Sequence, residues 1–329
     1  MVQFGLIGLG AGAAAALLFA SVVSGSWLSV LLFYLAPLPI MIAGIGWSHW
    51  SAMIAAVTGA VLLGSLLGTV FFFAFLAGAG VPAWWLGYLA MLARPAGGAG
   101  LNGGSKSAAL EWYPPGRLVV WAAVLAALIV VVAIPNFGTD VESFRAGLSR
   151  ALASMLQAEI GDRAGAPLSV PGVNNTGRLI AFLVVAVPAA AAILATITNV
   201  INLWLAARVV SFSGRLKRPW PQLSAITFPP LAAAALAVAV VLSFFGGFVG
   251  IIASVLAASL LMAYGVLGFA VLHAVTLGIK SRGFLLGGIY AAVIVFGWPV
   301  LALCLLGLID TAFDLRARVA NTRGPPAPI

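Results

Sequence analysis

Side chains able to do chemistry are few and scattered in this chain. His49 and His273 are the only histidines and Cys304 is the only cysteine. A histidine- or cysteine-based metal centre is therefore not available within one chain. There is no HExxH run, no pair of aspartates inside a long apolar segment, and no serine at a recognisable catalytic spacing from a histidine. The expectation is a non-enzyme with no catalytic residues, no metal and no cofactor. Asp310 and Asp314 stand near the end of the last apolar segment, with Asp314 one helical turn before Arg318. That spacing suits a helix-end ion pair better than a proton relay. A charge at the bilayer centre costs at least about 2.5 kcal/mol, so a pump working through buried carboxylates is not expected.

The remaining polar groups are neutral. Asn199 and Asn202 lie at i and i+3 in TITNVINLWLAAR, on one helical face. They can either bind neighbouring helices together or project amides into a substrate cavity. Tyr264 offers a phenol within a Gly- and Ala-rich segment. In LLFYLAPLPIMIAGIGWSHW, Pro37 and Pro39 interrupt an apolar run. Either residues 24–36 form a loop or re-entrant stretch, with both prolines in the first turn of a short helix, or the segment is a proline-kinked span. The first alternative turns Trp27 and Tyr34 toward a cavity. The candidate substrate-binding set is therefore Trp27, Tyr34, Asn199, Asn202 and Tyr264. Gly8, Gly12, Ala16 and Ala20 recur every four residues in the first segment, making a smooth face on which another helix can pack closely. Gly12, Ala16 and Ala20 are the candidate partner-helix docking residues.

The elements carrying these groups must be membrane helices. Charged residues make up 7% of the 329-residue chain against 63% hydrophobic, where an ordinary soluble domain has roughly 25% charged. No Lys, Arg, Asp or Glu precedes Arg94. The start lacks a basic n-region and reads as a retained first span. Because lipid-facing backbone must be paired internally, the fold is all-α: a polytopic helical bundle of about eight to ten transmembrane segments. Spans are expected near 4–23, 28–46, 51–74, 81–94, 117–135, 178–207, 225–245, 249–277 and 284–312. The last is either one tilted helix or two short ones meeting at Trp298 and Pro299.

The net charge of +9 sits in short loops beside spans, as expected of cytoplasmic loops. Nucleic acid is not an expected partner; the lipid bilayer is. Residues 1–315 read as a single transmembrane domain. It includes a flexible cytoplasmic loop over 94–117 and an external amphipathic helix over 138–163, and a short cytoplasmic tail follows over 316–329.

The run FYLAPLPIMIAGIGWSHWSAMIAAVTGAVLLGSLLG, with an Ala-rich first helix before it and LLGLIDTAFDLRAR at the far end, resembles the YybS-like family of uncharacterised bacterial membrane proteins. That family is similar, more distantly, to the S components of energy-coupling factor transporters. The resemblance implies the bacterial inner membrane and a pocket for a small neutral solute among the early helices. It also implies a transmembrane coupling subunit docked on Gly12, Ala16 and Ala20. The rival expectation is a non-transport membrane scaffold or assembly factor.

Overall fold

The computed structural model of the chain describes residues 2–95, 110–160, 175–222 and 226–322. Helix α1 (Val2–Ala20) leads through a short 3-10 turn to α2 (Trp27–Tyr34), and the chain then breaks where the prolines stand. Ser26 starts α2 by accepting the Ser29 amide on its Oγ at 3.2 Å. Helix α3 (Pro37–Gly46) begins afresh with Pro37 in its first turn. Pro37 and Pro39 carry no N–H, so the carbonyls of Phe33 and Leu35 lose their regular i+4 donors. The backbone tightens instead: the Ala36 amide donates to Phe33 O at 3.1 Å and the Leu38 amide to Leu35 O at 3.0 Å. Leu38 is thereby withdrawn from Tyr34, whose carbonyl is left over. Asn202, on the long helix α9 (Thr176–Phe212), donates its Nδ2 to that carbonyl at 2.8 Å. The stretch 24–36 is thus mostly helical rather than a loop, while the prolines do open a new helix.

The chain groups into two compact units. The first comprises Met1–Ala122, Ile197–Ala233 and Ala263–Ile329. In it, α1 packs on α4 (His49–Leu67) at glycine positions. A Cβ on Gly12 would lie 2.5 Å from Ala55 O and 2.7 Å from Thr58 Cβ, and one on Gly8 would lie 2.7 Å from Ile54 Cγ2. Ala15 and Ala16 are buried along the same helix, and Ala20 is half-buried. The small-residue face is therefore covered by the chain's own α4, which corrects its assignment to a separate partner: glycine lets the two backbones approach, and α4 is the helix that does so.

Helix α4 stops at Gly68, whose φ of 100° suits glycine. Beyond it, α5 (Thr69–Phe75), a π-turn (Leu76–Gly80) and α6 (Val81–Ala90) run on as one segment. Ile40, Met41, Ala52, Ala83 and Leu86 are fully buried where α3, α4 and α6 meet. The expected flexible loop over 94–117 begins and ends in an antiparallel strand pair, β1 (Ala93–Pro95) and β2 (Leu110–Trp112), with Ala93 opposite Trp112. Its residues 96–109 lie outside the described residues.

At the far end of the same unit, Gly297 adopts φ 71° between α12 (Arg282–Phe296) and α13 (Pro299–Phe313), so the last apolar segment is two helices. Tight packing of α13 on α11 (Gly247–Val275) runs through glycine on both sides: a Cβ on Gly268 would collide with the Leu303 carbonyl, and one on Gly307 with the Tyr264 carbonyl. Asp310 is buried and pairs with Arg316 of α14 (Leu315–Thr322) at 2.7 Å, and Arg316 also donates to Ile226 O at 2.8 Å. The expected Asp314–Arg318 pair is replaced by this one. Asp314 takes the left-handed C-cap position at φ 49°, and Arg318 donates to Phe313 O instead. The tail's residues 323–329 lie outside the described residues.

The second unit comprises Ala123–Thr196 and Ala234–Met262. It holds most of α7 (Pro115–Ala133), α8 (Val141–Ile160), the first half of α9, α10 (Pro230–Ser243) and the first half of α11. Helix α8 is the expected amphipathic helix, of which residues 161–163 lie outside the described residues. Its Phe144 and Leu148 are buried against Ile134 and Val184, so part of its apolar face packs on the chain itself. Asp140 caps it, accepting the Glu142 and Ser143 amides at 3.1 and 2.9 Å.

Among the described residues, seven helical segments are long and apolar enough to cross a membrane, and α10, α12 and α13 are shorter apolar helices. The protein is a polytopic helical membrane protein.

Two predictions follow from these contacts. Asn202→Leu leaves the half-buried Tyr34 carbonyl unpaired, at about 1–3 kcal/mol, and lowers the unfolding midpoint in mixed micelles. Asn199→Leu has the smaller effect, because its acceptor, Ala122 O, lies inside regular helix. Hydrogen bonds from Ser143 hold the Asp140 carboxyl below the usual aspartate range. Its capping contribution is therefore present above the ordinary aspartate pKa and is lost as pH falls through the depressed value. The Glu142 and Ser143 amide resonances should move together in a titration with its midpoint below that range, and Asp140→Asn should abolish it.

Candidate functional site

The five expected substrate contacts do not converge on a cavity. Trp27, in the first turn of the outward-facing helix α2, is 92% exposed. Tyr34 is half-buried, packs edge-on against Phe33, and meets Asn202 only through its backbone carbonyl. Asn199 and Asn202 are buried and spend their amide donors on backbone: Asn199 on Ala122 O at 3.2 Å, Asn202 on Tyr34 O and Thr198 O, both at 2.8 Å. Tyr264 is completely buried against the Phe228 ring. The asparagines thus join helices, the first of the two uses open to them. Trp27 faces out and Tyr264 is sealed in.

A cavity does form elsewhere in the first unit, from residues that carry no chemistry on their own. It measures about 150 Å³. Its walls are Val200, Leu203, Trp204 and Ala207 on α9, Leu118 and Val119 on α7, Ala90 and Met91 at the end of α6, Ile45 on α3 and Val266 on α11. The segment between α9 and α10 completes it with Leu216, Arg218, Trp220, Pro221 and Ile226. Helical spacing explains the α9 wall: residues 200, 203, 204 and 207 share a face, distinct from the one carrying Asn199 and Asn202. The two asparagine bonds set the rotation of α9, and that rotation turns Leu203 and Ala207 to the cavity.

Among the described residues, Arg218 is the one charged group in this wall. It is half-buried, and its Nη1 donates to Ala90 O at 3.0 Å. Burial pulls the guanidinium below the usual arginine range; an arginine remains protonated at any physiological pH. Arg208 stacks over two rings of the wall, 5.7 Å from the Trp204 centroid and 4.7 Å from that of Trp220, and lies 5.7 Å from Phe212. Arg215 lies 4.7 Å above Trp47. Among the described residues neither Arg208, Arg215, Lys217 nor Arg218 has a carboxylate partner. The sequence explains this: no Asp or Glu occurs from residue 163 through 309. Reading these cations only as markers of membrane orientation misses the cluster. The signal was the spacing of Trp204, Arg208 and Phe212 at i, i+4 and i+8, which puts cation and rings on one helical stripe.

A larger hollow of about 430 Å³ lies between the strand pair and the start of α7, lined by Arg94, Glu111, Tyr113 and Arg117. Its Arg94–Glu111 pair, 2.8 Å apart, is open to solvent on both sides, and its strands lead directly into residues 96–109. The apolar lining is on the α9 side.

No family model, curated protein or solved structure matches the chain.

If stacking holds the cationic segment in place, Arg208→Gln loses about 0.5–1 kcal/mol of cation–π attraction. Trypsin should then cut after Arg215 and Lys217 roughly two- to fivefold faster, read by timed digestion and mass spectrometry, with the helices intact.

Proposed function

We propose that the chain is a non-enzymatic multi-span protein of the bacterial inner membrane that binds a small, largely apolar solute in the cavity between α9 and the segment following it. With a membrane partner it helps to move that solute, in the manner of the transporter S components, to which the YybS-like family that its first 75 residues resemble is more distantly similar. The observation that supports this reading is the partly open apolar cavity with, among the described residues, one half-buried guanidinium in its wall. Apolar cavities of this size stay dry and accept guests of about the bulk of benzene or a short alkyl segment. The neutral polar pocket implied by the early helices does not supply the site, and a coupling subunit has to meet the chain elsewhere than Gly12 and Ala16.

A second reading, a membrane scaffold, is favoured by α12. None of its residues is buried, and Phe284, Ile294, Val295 and Phe296 are all exposed. Such a helix suits lateral packing against another membrane protein.

The test is photolabelling of the full chain in micelles with a short alkyl diazirine. Adducts are expected on Leu118, Leu203 and Ala207, at least about fivefold reduced by Ala207→Phe, which fills the cavity, while adducts on the outward-facing Trp27 and Phe244 persist. Labelling of the wall that Ala207→Phe leaves unchanged, or none at the wall at all, sinks the binding reading.

A further inference from the structure

We propose that the occupant of the cavity is an anionic membrane lipid, with a segment of one acyl chain between α9 and α7 and its phosphate on Arg218. The inference rests on the binding reading above and names the class of molecule bound.

Three observations lead to it. The first is size. Sites that enclose a whole drug-sized solute measure about 300–1,000 Å³, and this cavity is about 150 Å³. It takes in part of a molecule, so the remainder has to lie where apolar matter is already stable, among the acyl chains of the bilayer. The second is the unused chemistry of Arg218. A guanidinium has five N–H donors in a planar fork, and the described contacts give this one a single acceptor, Ala90 O. A half-buried cation gains most from an acceptor that also carries negative charge, and the fork matches a phosphate in two places. Among the described residues no carboxylate pairs with it, and the 147 consecutive positions 163–309 contain no Asp or Glu.

The third is placement. Arg218 sits in the short segment joining α9 to α10, with Arg208 against the Trp204 and Trp220 rings that line the cavity. Indoles prefer the headgroup level of a bilayer, and cations placed there draw anionic lipid. Apolar side chains, indole rings and a guanidinium line one cavity, and an acyl chain, a glycerol backbone and a phosphate offer each of them a matching partner. A neutral solute would leave the guanidinium without a partner. A free soluble anion would leave the apolar volume empty.

The experiment is native mass spectrometry of the full chain in micelles, offered phosphatidylglycerol and phosphatidylcholine with the same acyl chains. Wild type should retain phosphatidylglycerol about tenfold more strongly. Arg218→Gln should reduce it to the level of phosphatidylcholine, Arg218→Lys should restore most of the preference, and Ala207→Phe should remove both lipids. Equal retention of the two lipids by wild type overturns the proposal, as does a preference unchanged by Arg218→Gln. Displacement of the bound species by excess inorganic phosphate also overturns it, because it assigns the site to a soluble anion. Should Arg218→Gln not yield folded protein, the wild-type comparison and the phosphate competition decide. The two readings fail differently: loss of both lipids in Ala207→Phe without headgroup preference sinks only the anionic assignment, whereas lipid retained unchanged by Ala207→Phe sinks the cavity itself.

Discussion

One unpaired carbonyl governs much of the first unit. Inside a bilayer every backbone polar group needs a partner from the protein, and two prolines spaced two apart remove donors from alternate carbonyls while the shortened turn diverts the amide between them. Tyr34 O is what remains, and Asn202, 168 positions further along, satisfies it. A hydrogen bond that joins such distant parts of the chain fixes more than two atoms. With Asn199 on Ala122 O, it clamps α9 against both the broken second segment and α7. The cavity wall is the neighbouring face of that clamped helix, so the polar pairs and the apolar hollow are two results of one rotational setting.

The distribution of charge divides the molecule in a second way. Asp310 takes Arg316 in a buried pair, and that arginine goes on to tie down Ile226. Along α9 and the segment after it, acid is missing altogether, and aromatic faces hold the arginines instead. A quadrupole can position a cation without neutralising it. The field around the Arg208–Arg218 stretch therefore stays positive, unlike that around Arg316.

Much of this architecture was legible in the sequence, and the illegible part has a common physical origin. Hydropathy marked the helices, because a lipid solvent leaves few alternatives to α-helix. Proline and glycine marked the break before Pro37 and the one at Gly297. The amphipathic period marked α8. Pairings across the chain carried no such signal. Four-residue spacing showed that α1 has a smooth face, but a smooth face does not say whether its partner is another chain or, as here, α4 forty residues on. The i, i+3 spacing of Asn199 and Asn202 puts them on one face, yet whether an amide meets a ligand or a carbonyl depends on where a distant helix has broken. The cavity was least legible of all, since Leu203, Ala207 and Val266 differ from lipid-facing residues only by what surrounds them. Trp27 shows the converse: an aromatic beside a helix break suggests a site, and here it faces outward.

The π-turn at Leu76–Gly80 bears on how this protein can vary. A π-turn holds one residue more than the α-helical turn it interrupts, so the helices on either side keep their orientation only because that extra residue is absorbed there. Phe75 before it and Ala83 and Leu86 after it all reach the core. Removing one residue within 76–80 would close the turn to regular helix and leave both faces where they are. The same deletion a turn further on, among Trp84, Trp85 and Tyr88, would rotate everything beyond it by about 100°. In a segment otherwise intolerant of length change, this short stretch is the place where homologous chains are free to differ by one residue.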